Sequence, residues 1–170
     1  YYSFVFDFCH MRINKLFIIF LLAVFPIFPQ QNSMPPVERY IEIEKRYFEW
    51  KDGLFGSRNY RRRELLSFLS SVYKLDVETT PDFAIVKEKT GIDKRIKVRF
   101  GYKSGLVIDA EINADLLKDF KIDKTGVMWF GGKISAVKGR LRKFYLADSP
   151  GKDDLILFFD SAEIILFEHK

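Results

Sequence analysis

From residue 35 onward the apolar positions follow first one period and then another. Val37, Tyr40, Ile41, Tyr47 and Phe48 recur at helical spacing behind Pro35-Pro36, and Asp52-Gly53 follows them. Proline suits the first turn of a helix, so this pattern predicts a helix with one apolar stripe that ends before Gly53. Glu42 and Arg46 stand four residues apart in the favourable order for an ion pair along it. A second helix is predicted from Ser57, read as its N-cap, to about Lys74, with Leu65, Leu66, Leu69, Val72 and Tyr73 on its apolar face. Two helices joined by a short glycine-bearing loop make an αα-hairpin or a pair packed on a sheet.

The period then shortens to two. Phe83 to Val86 is a short strand candidate between Pro81 and Gly91, and Arg95 to Phe100 alternates strictly between basic and apolar residues. Gly101 to Gly105 supplies a turn, and Leu106 to Ile112 alternates again. Facing Phe100 with Leu106, Val98 with Ile108 and Ile96 with Ala110 puts Lys97 opposite Asp109 and Arg95 opposite Glu111. Both faces then agree on one hairpin register. Asn113 is positioned to cap a short helix, Ala114 to Phe120. Strands are expected at Val127 to Val137, Leu141 to Ala147, Leu155 to Asp160 and Ala162 to Glu168, with a bend at Gly131-Gly132. The expectation is an α+β domain over residues 35–170. Its two N-terminal helices pack on an antiparallel sheet of six to seven strands, with a partly open barrel as one way to arrange it.

Ahead of this domain the pattern differs. Met11-Arg12-Ile13-Asn14-Lys15 precedes thirteen uncharged residues, Leu16 to Phe28, and a polar exit begins at Gln30. A basic start, a short apolar core and a polar exit are the features of a secretory signal, here residues 11–30. A spanning helix needs about 20 apolar residues, so an uncleaved anchor is the alternative rather than the first reading. No small-x-small cleavage pattern stands at the exit, and no cysteine follows the core to support lipoprotein processing. Translation is expected to start at Met11, leaving residues 1–10 as an upstream start-site artefact. The protein is therefore expected in the periplasm or otherwise outside the cytoplasm, with membrane contact only through the leader if it is retained.

Composition narrows the chemistry. The net charge is +5; setting aside Arg12, Lys15 and Asp7 leaves 26 basic and 22 acidic residues spread along the chain. That dispersion argues against nucleic acid as the partner, which calls for a concentrated basic face. The one cysteine, Cys9, precedes the leader, so the domain carries no disulfide and no thiolate metal site. The two histidines are His10 and His169, near the ends of the chain. Ser-His-Asp and Cys-His catalysis have no internal base, zinc has no ligand set, and neither phosphate-binding glycine loop is present. No cofactor or metal is expected.

Three constellations remain. Arg61, Arg62 and Arg63, with Arg58 nearby and Tyr60 among them, form a basic cluster with an aromatic; it is the candidate binding site, set against a solvated helix turn. The stripe Arg95, Lys97, Arg99 is cancelled by the acids that the hairpin places opposite it. Asp148 to Asp154 is acidic, but Lys152 lies among the acids and the calcium-loop spacing is absent, so it reads as a hairpin loop turning at Pro150-Gly151. A carboxylate pair, as in glycoside hydrolysis, needs only two acids, and no pair stands out. Trp129, Phe130, Phe144 and Tyr145 read as core or sheet-face residues.

Gly132-Lys133-Ile134-Ser135-Ala136-Val137, then Phe144-Tyr145-Leu146-Ala147-Asp148, then Leu155-Ile156-Leu157-Phe158-Phe159, resembles the strand rhythm of OB-fold-like barrels of small exported bacterial proteins. The resemblance covers under half the chain and implies a binding module. The expected function is an exported, non-enzymatic envelope protein that binds a protein or envelope component. A carboxylate-based hydrolase and an oligonucleotide-binding OB-like domain are the alternatives.

Overall fold

A computed structural model describes residues 33–82, 85–90, 95–103, 105–117, 121–122, 128–129 and 134–167. The leader, Trp129's side chain and Phe130 fall outside what is described. Helix α1 (Pro36–Lys51) opens at Pro35-Pro36, as the sequence predicts, and closes at Asp52. Its buried stripe is Tyr40, Ile43, Tyr47 and Trp50, while Ile41 is exposed, so the apolar face is rotated from the predicted one. Helix α2 (Phe55–Ser71) starts two residues before Ser57, with Leu54 at the N-cap. Ser57 donates its hydroxyl to the Leu54 carbonyl at 3.1 Å instead of capping the helix. The buried face of α2 is Leu65, Phe68, Leu69 and Val72.

Eight segments follow: β1 (Asp76–Glu78), β2 (Ile85–Thr90), β3 (Arg95–Lys103), β4 (Leu106–Asn113), β5 (Lys121–Ile122), β6 (Met128–Trp129), β7 (Ile134–Leu146) and β8 (Leu155–Phe167). Five of these, β2, β3, β4, β7 and β8, are long enough to form the body of the sheet. Their spatial order is β7-β8-β4-β3-β2, with β1 beyond β7 and β6-β5 beyond β2. The sheet is mixed, correcting the antiparallel expectation, because β8 pairs antiparallel with β7 but parallel with β4. The β7–β8 hairpin docks beside β4 after a crossover of some forty residues, a choice that alternation within single strands does not encode. Among the described residues the sheet stays open between β1 and β5, so no barrel closes.

The strand count differs because two pairs of predicted strands are each continuous. Ile134 to Leu146 runs through Gly139, where a side-chain β-carbon would stand 2.9 Å from that of Phe159. Leu155 to Phe167 runs through Ser161, whose φ of 51° turns the strand without ending it. Register shifts at Lys138/Arg140 and Leu141/Lys143 accompany this. Bulges of this kind bend and twist a sheet locally.

The β3–β4 hairpin keeps the predicted faces but slides by two residues: Phe100 faces Ile108, Val98 faces Ala110 and Ile96 faces Ile112. The connection is tighter than predicted. Lys103 pairs with Leu106, and a shift between Gly101 and Lys103 absorbs the extra residue. Asn113 Oδ1 accepts the Asp115 amide at 3.1 Å, starting the 3-10 turn Ala114–Leu117.

One face of the sheet carries Ile96, Val98, Phe100, Ile108, Ile112, Leu141, Leu155 and Leu157 into a single core with both helices. Full burial of each such side chain contributes about 1.5–3 kcal/mol. β1 is tied under α1 by Arg39, whose guanidinium donates to the Asp76 carbonyl at 2.6 Å. The opposite face carries charged side chains of β3, β4, β7 and β8 together with Val107, Ile156 and Phe158, of which Val107 is buried.

Candidate functional site

On that opposite face, alternation in β3 and β4 brings Arg99 against Asp109 in a two-pronged ion pair, 2.6 Å from Nε to Oδ1 and 2.7 Å from Nη2 to Oδ2. Two strands away, Arg142 Nε donates to Asp160 Oδ2 at 2.7 Å. Phe158 lies between these pairs: it neighbours Asp109 across the parallel ladder and Lys143 across the antiparallel one. The Lys143 ammonium sits 5.6 Å from the centre of its ring. Arg99, Asp109, Arg142, Phe158 and Asp160, together with Lys97 and Glu111, line a depression of about 470 Å³. A second depression, about 320 Å³, is lined by Asp76, Lys138, Arg140, Ser161 and Glu163 and shares Asp160 with the first.

The electrostatics of this face are balanced. The hydrogen bond from Arg142 holds the Asp160 carboxyl below the ordinary carboxylate range. Asp160 is thus a fixed acceptor at neutral pH, with the opposite of the raised pKa that a general acid needs. Asp109 is likewise committed to Arg99. Paired guanidinium and carboxylate groups present donors and acceptors in fixed positions without a strong net field.

A second polar cluster lies on the helix side. Tyr47 Oη donates to Asp154 Oδ2 at 3.0 Å, and Lys51 Nζ donates to Tyr47 Oη at 3.1 Å and stands 3.1 Å from Asp154 Oδ2. The Gly151 amide donates to the other Asp154 oxygen. Asp154 is 1% exposed. Burial pushes the Tyr47 hydroxyl up to about 12. Burial works to lower the Lys51 ammonium, but its bonds to Tyr47 and Asp154 outweigh this and raise it. Gly105 passes directly over the cluster with φ of 85°, and a β-carbon there would overlap Tyr47 Oη. This cluster clamps α1 to the two loops that precede β4 and β8. It has no room for a substrate.

The arginines singled out in the sequence have separate partners. Arg61 Nη1 donates to the Glu49 carbonyl at 2.9 Å and Arg58 Nη2 to the Gly53 carbonyl at 3.0 Å. Arg58 in the first turn of α2 opposes its dipole, while Arg61 meets a carbonyl in the last turn of α1, where a cation is favoured. Arg62 reaches the Ala147 carbonyl at 3.2 Å and Asp148 Oδ1 at 2.9 Å. Arg63 turns back to the Asn59 carbonyl at 3.4 Å. Tyr60 is exposed, and its hydroxyl is raised by a hydrogen bond to Glu64. The structure therefore joins helices and loops with these guanidiniums rather than gathering them at one pocket.

Sequence reasoning passed over Arg142, Phe158 and Asp160, because the bulges that aim them at one depression leave no mark in the alternation. It also read Asp154 only as part of a hairpin loop. Among the described residues, no group of three His, Cys, Asp or Glu is placed to hold a metal ion, and no helix is long and apolar enough to cross a membrane. No family model matches the chain, and neither a curated protein nor a solved structure matches it.

Proposed function

We propose that the protein is an exported, non-enzymatic binding module of the cell envelope, and that its ligand surface is the helix-free face of the sheet. The observation that carries this reading is the depression of about 470 Å³ between Arg99–Asp109 and Arg142–Asp160, with Phe158 in its floor. A few fixed polar groups around an apolar surface are the usual make-up of a binding site. Export is carried by the leader at residues 11–30. The acids of the depression serve as ion-pair partners, which favours binding over acid–base chemistry.

Expression of the full chain with its own leader, followed by fractionation and intact mass, tests the location. The expected product is extracytoplasmic and shortened at its N-terminus; an untrimmed cytosolic product contradicts export. Co-sedimentation with isolated cell envelopes tests the surface. Wild type should sediment and Arg142→Glu should not; equal behaviour of the two removes this face from the account.

A further inference from the structure

Resting on that reading of the sheet face, we infer that its ligand is an extended, uncharged polyhydroxy chain, a neutral glycan, laid across the strands. The shape comes first. The two depressions share Asp160, so together they cross β3, β4, β8, β7 and β1. Four inter-strand spacings amount to about 19 Å. This is a trough for a chain of several units rather than a pocket for one small molecule.

Charge comes second. Along the trough, Arg99 pairs with Asp109, Arg142 with Asp160, Arg140 with Asp76 at 3.7 Å, and Lys138 with Glu163 at 3.7 Å. Five basic residues (Lys97, Arg99, Lys138, Arg140 and Arg142) and five acidic ones (Asp76, Asp109, Glu111, Asp160 and Glu163) line the two depressions, so a polyanion or polycation meets as much repulsion as attraction and would have to break pairs to bind. A hydroxyl group both donates and accepts. It can take a hydrogen bond from a guanidinium and give one to the neighbouring carboxylate, leaving the pair intact. A row of hydroxyls therefore matches a row of ion pairs.

The third element is Phe158. Its ring is partly exposed in the floor, flanked by Asp109 and by Lys143. An apolar ring among polar groups suits the C–H face of a sugar, with hydroxyls reaching the pairs on either side. A peptide would want backbone pairing, which sheet edges offer and this face does not, and more than one apolar recess for its side chains.

The test uses amide chemical-shift mapping of the folded domain with soluble hexamers of β-1,4-linked glucose, N-acetylglucosamine and mannose. Heparin, poly-lysine and a mixed decapeptide are run beside them. At least one neutral hexamer should give saturable shifts at 97–99, 107–111 and 156–160, little altered by added salt. Its affinity should fall at least tenfold in Phe158→Ala and again in Asp160→Asn, both at partly exposed positions, in variants checked to keep the wild-type melting profile. If no neutral hexamer shifts these amides while heparin, poly-lysine or the peptide does, the glycan assignment is overturned and the sheet face stands as a site for another ligand. If nothing shifts them, and envelope sedimentation is also insensitive to Arg142→Glu, both readings fall.

Discussion

The molecule holds two kinds of ion pair, and they differ in what surrounds them. Lys51–Asp154 is enclosed with Tyr47 under Gly105, and Asp154 is 1% exposed. Arg142–Asp160 has the same chemistry at 2.7 Å, but Arg142 is 54% exposed and Asp160 28%. A buried carboxylate whose partner is removed is left charged with little solvent to compensate, whereas an exposed pair exchanges its partner for water at small cost. The first cluster therefore holds the fold together, and the second leaves its groups open to a ligand. Burial, rather than residue type, separates the two clusters.

That contrast can be broken at its strongest point first. Gly105→Ala puts a methyl into Tyr47 and gives an alanine a left-handed backbone, so it should disrupt the clamp as well as add strain. A loss of about 4–6 kcal/mol in denaturant unfolding is expected; a loss under about 1 kcal/mol would mean the clamp is dispensable. Asp154→Ala leaves Lys51, Tyr47 and the Gly151 amide without their acceptor and should lower stability by about 3–5 kcal/mol. Arg62→Ala, which frees the Ala147 carbonyl and Asp148 in a partly exposed setting, should lower it by about 1 kcal/mol. Asp109→Asn, on the open face, should change stability by less than about 1 kcal/mol while weakening retention on envelopes. An Asp109→Asn effect as large as that of Asp154→Ala would erase the distinction between the two clusters.

Titration sharpens the same comparison. The Tyr47 hydroxyl and Lys51 ammonium both hold their protons more tightly in the folded state than ordinary tyrosine and lysine. Their contribution is therefore complete below about pH 10 and is lost as pH rises toward 12, since the unfolded chain then binds fewer protons. Tyrosinate absorbance should show a late step near pH 12 that Tyr47→Phe removes. Asp160 has the opposite sign: its lowered pKa gives a contribution present above the ordinary aspartate range and lost as pH falls below it. Loss of envelope retention on acidification, with the fold intact, is the expected counterpart on the open face.

Local structure was legible in the sequence wherever one element set its own period. The start and end of α1, the Glu42–Arg46 pair at 2.6 Å, the Asn113 cap and the faces of β3 and β4 all follow from neighbouring residues. Errors entered where distant parts decide. The hairpin slid by two because a tighter turn with a bulge preserves the same faces, so the hydrophobic pattern cannot distinguish the two registers. The parallel docking of β8 on β4 depends on two faces meeting after a long crossover. Tyr47 and Lys51 stand four residues apart on α1, but their partner Asp154 is 107 positions from Tyr47. Arg61 and Arg62 look like a grip in sequence because the carbonyls that engage them belong to other elements. For the same reason the depression has no linear signature: Arg99, Asp109, Arg142, Phe158 and Asp160 come from four strands.

Hydrogen–deuterium exchange of the full chain, with and without isolated cell envelopes, tests the proposed ligand surface most directly. Envelope-dependent protection is expected at 97–99, 107–111 and 156–160, with α1 and α2 unchanged. Protection confined instead to Tyr60, Arg61, Arg62 and Arg63 on α2 would contradict the assignment of the open sheet face as the ligand surface.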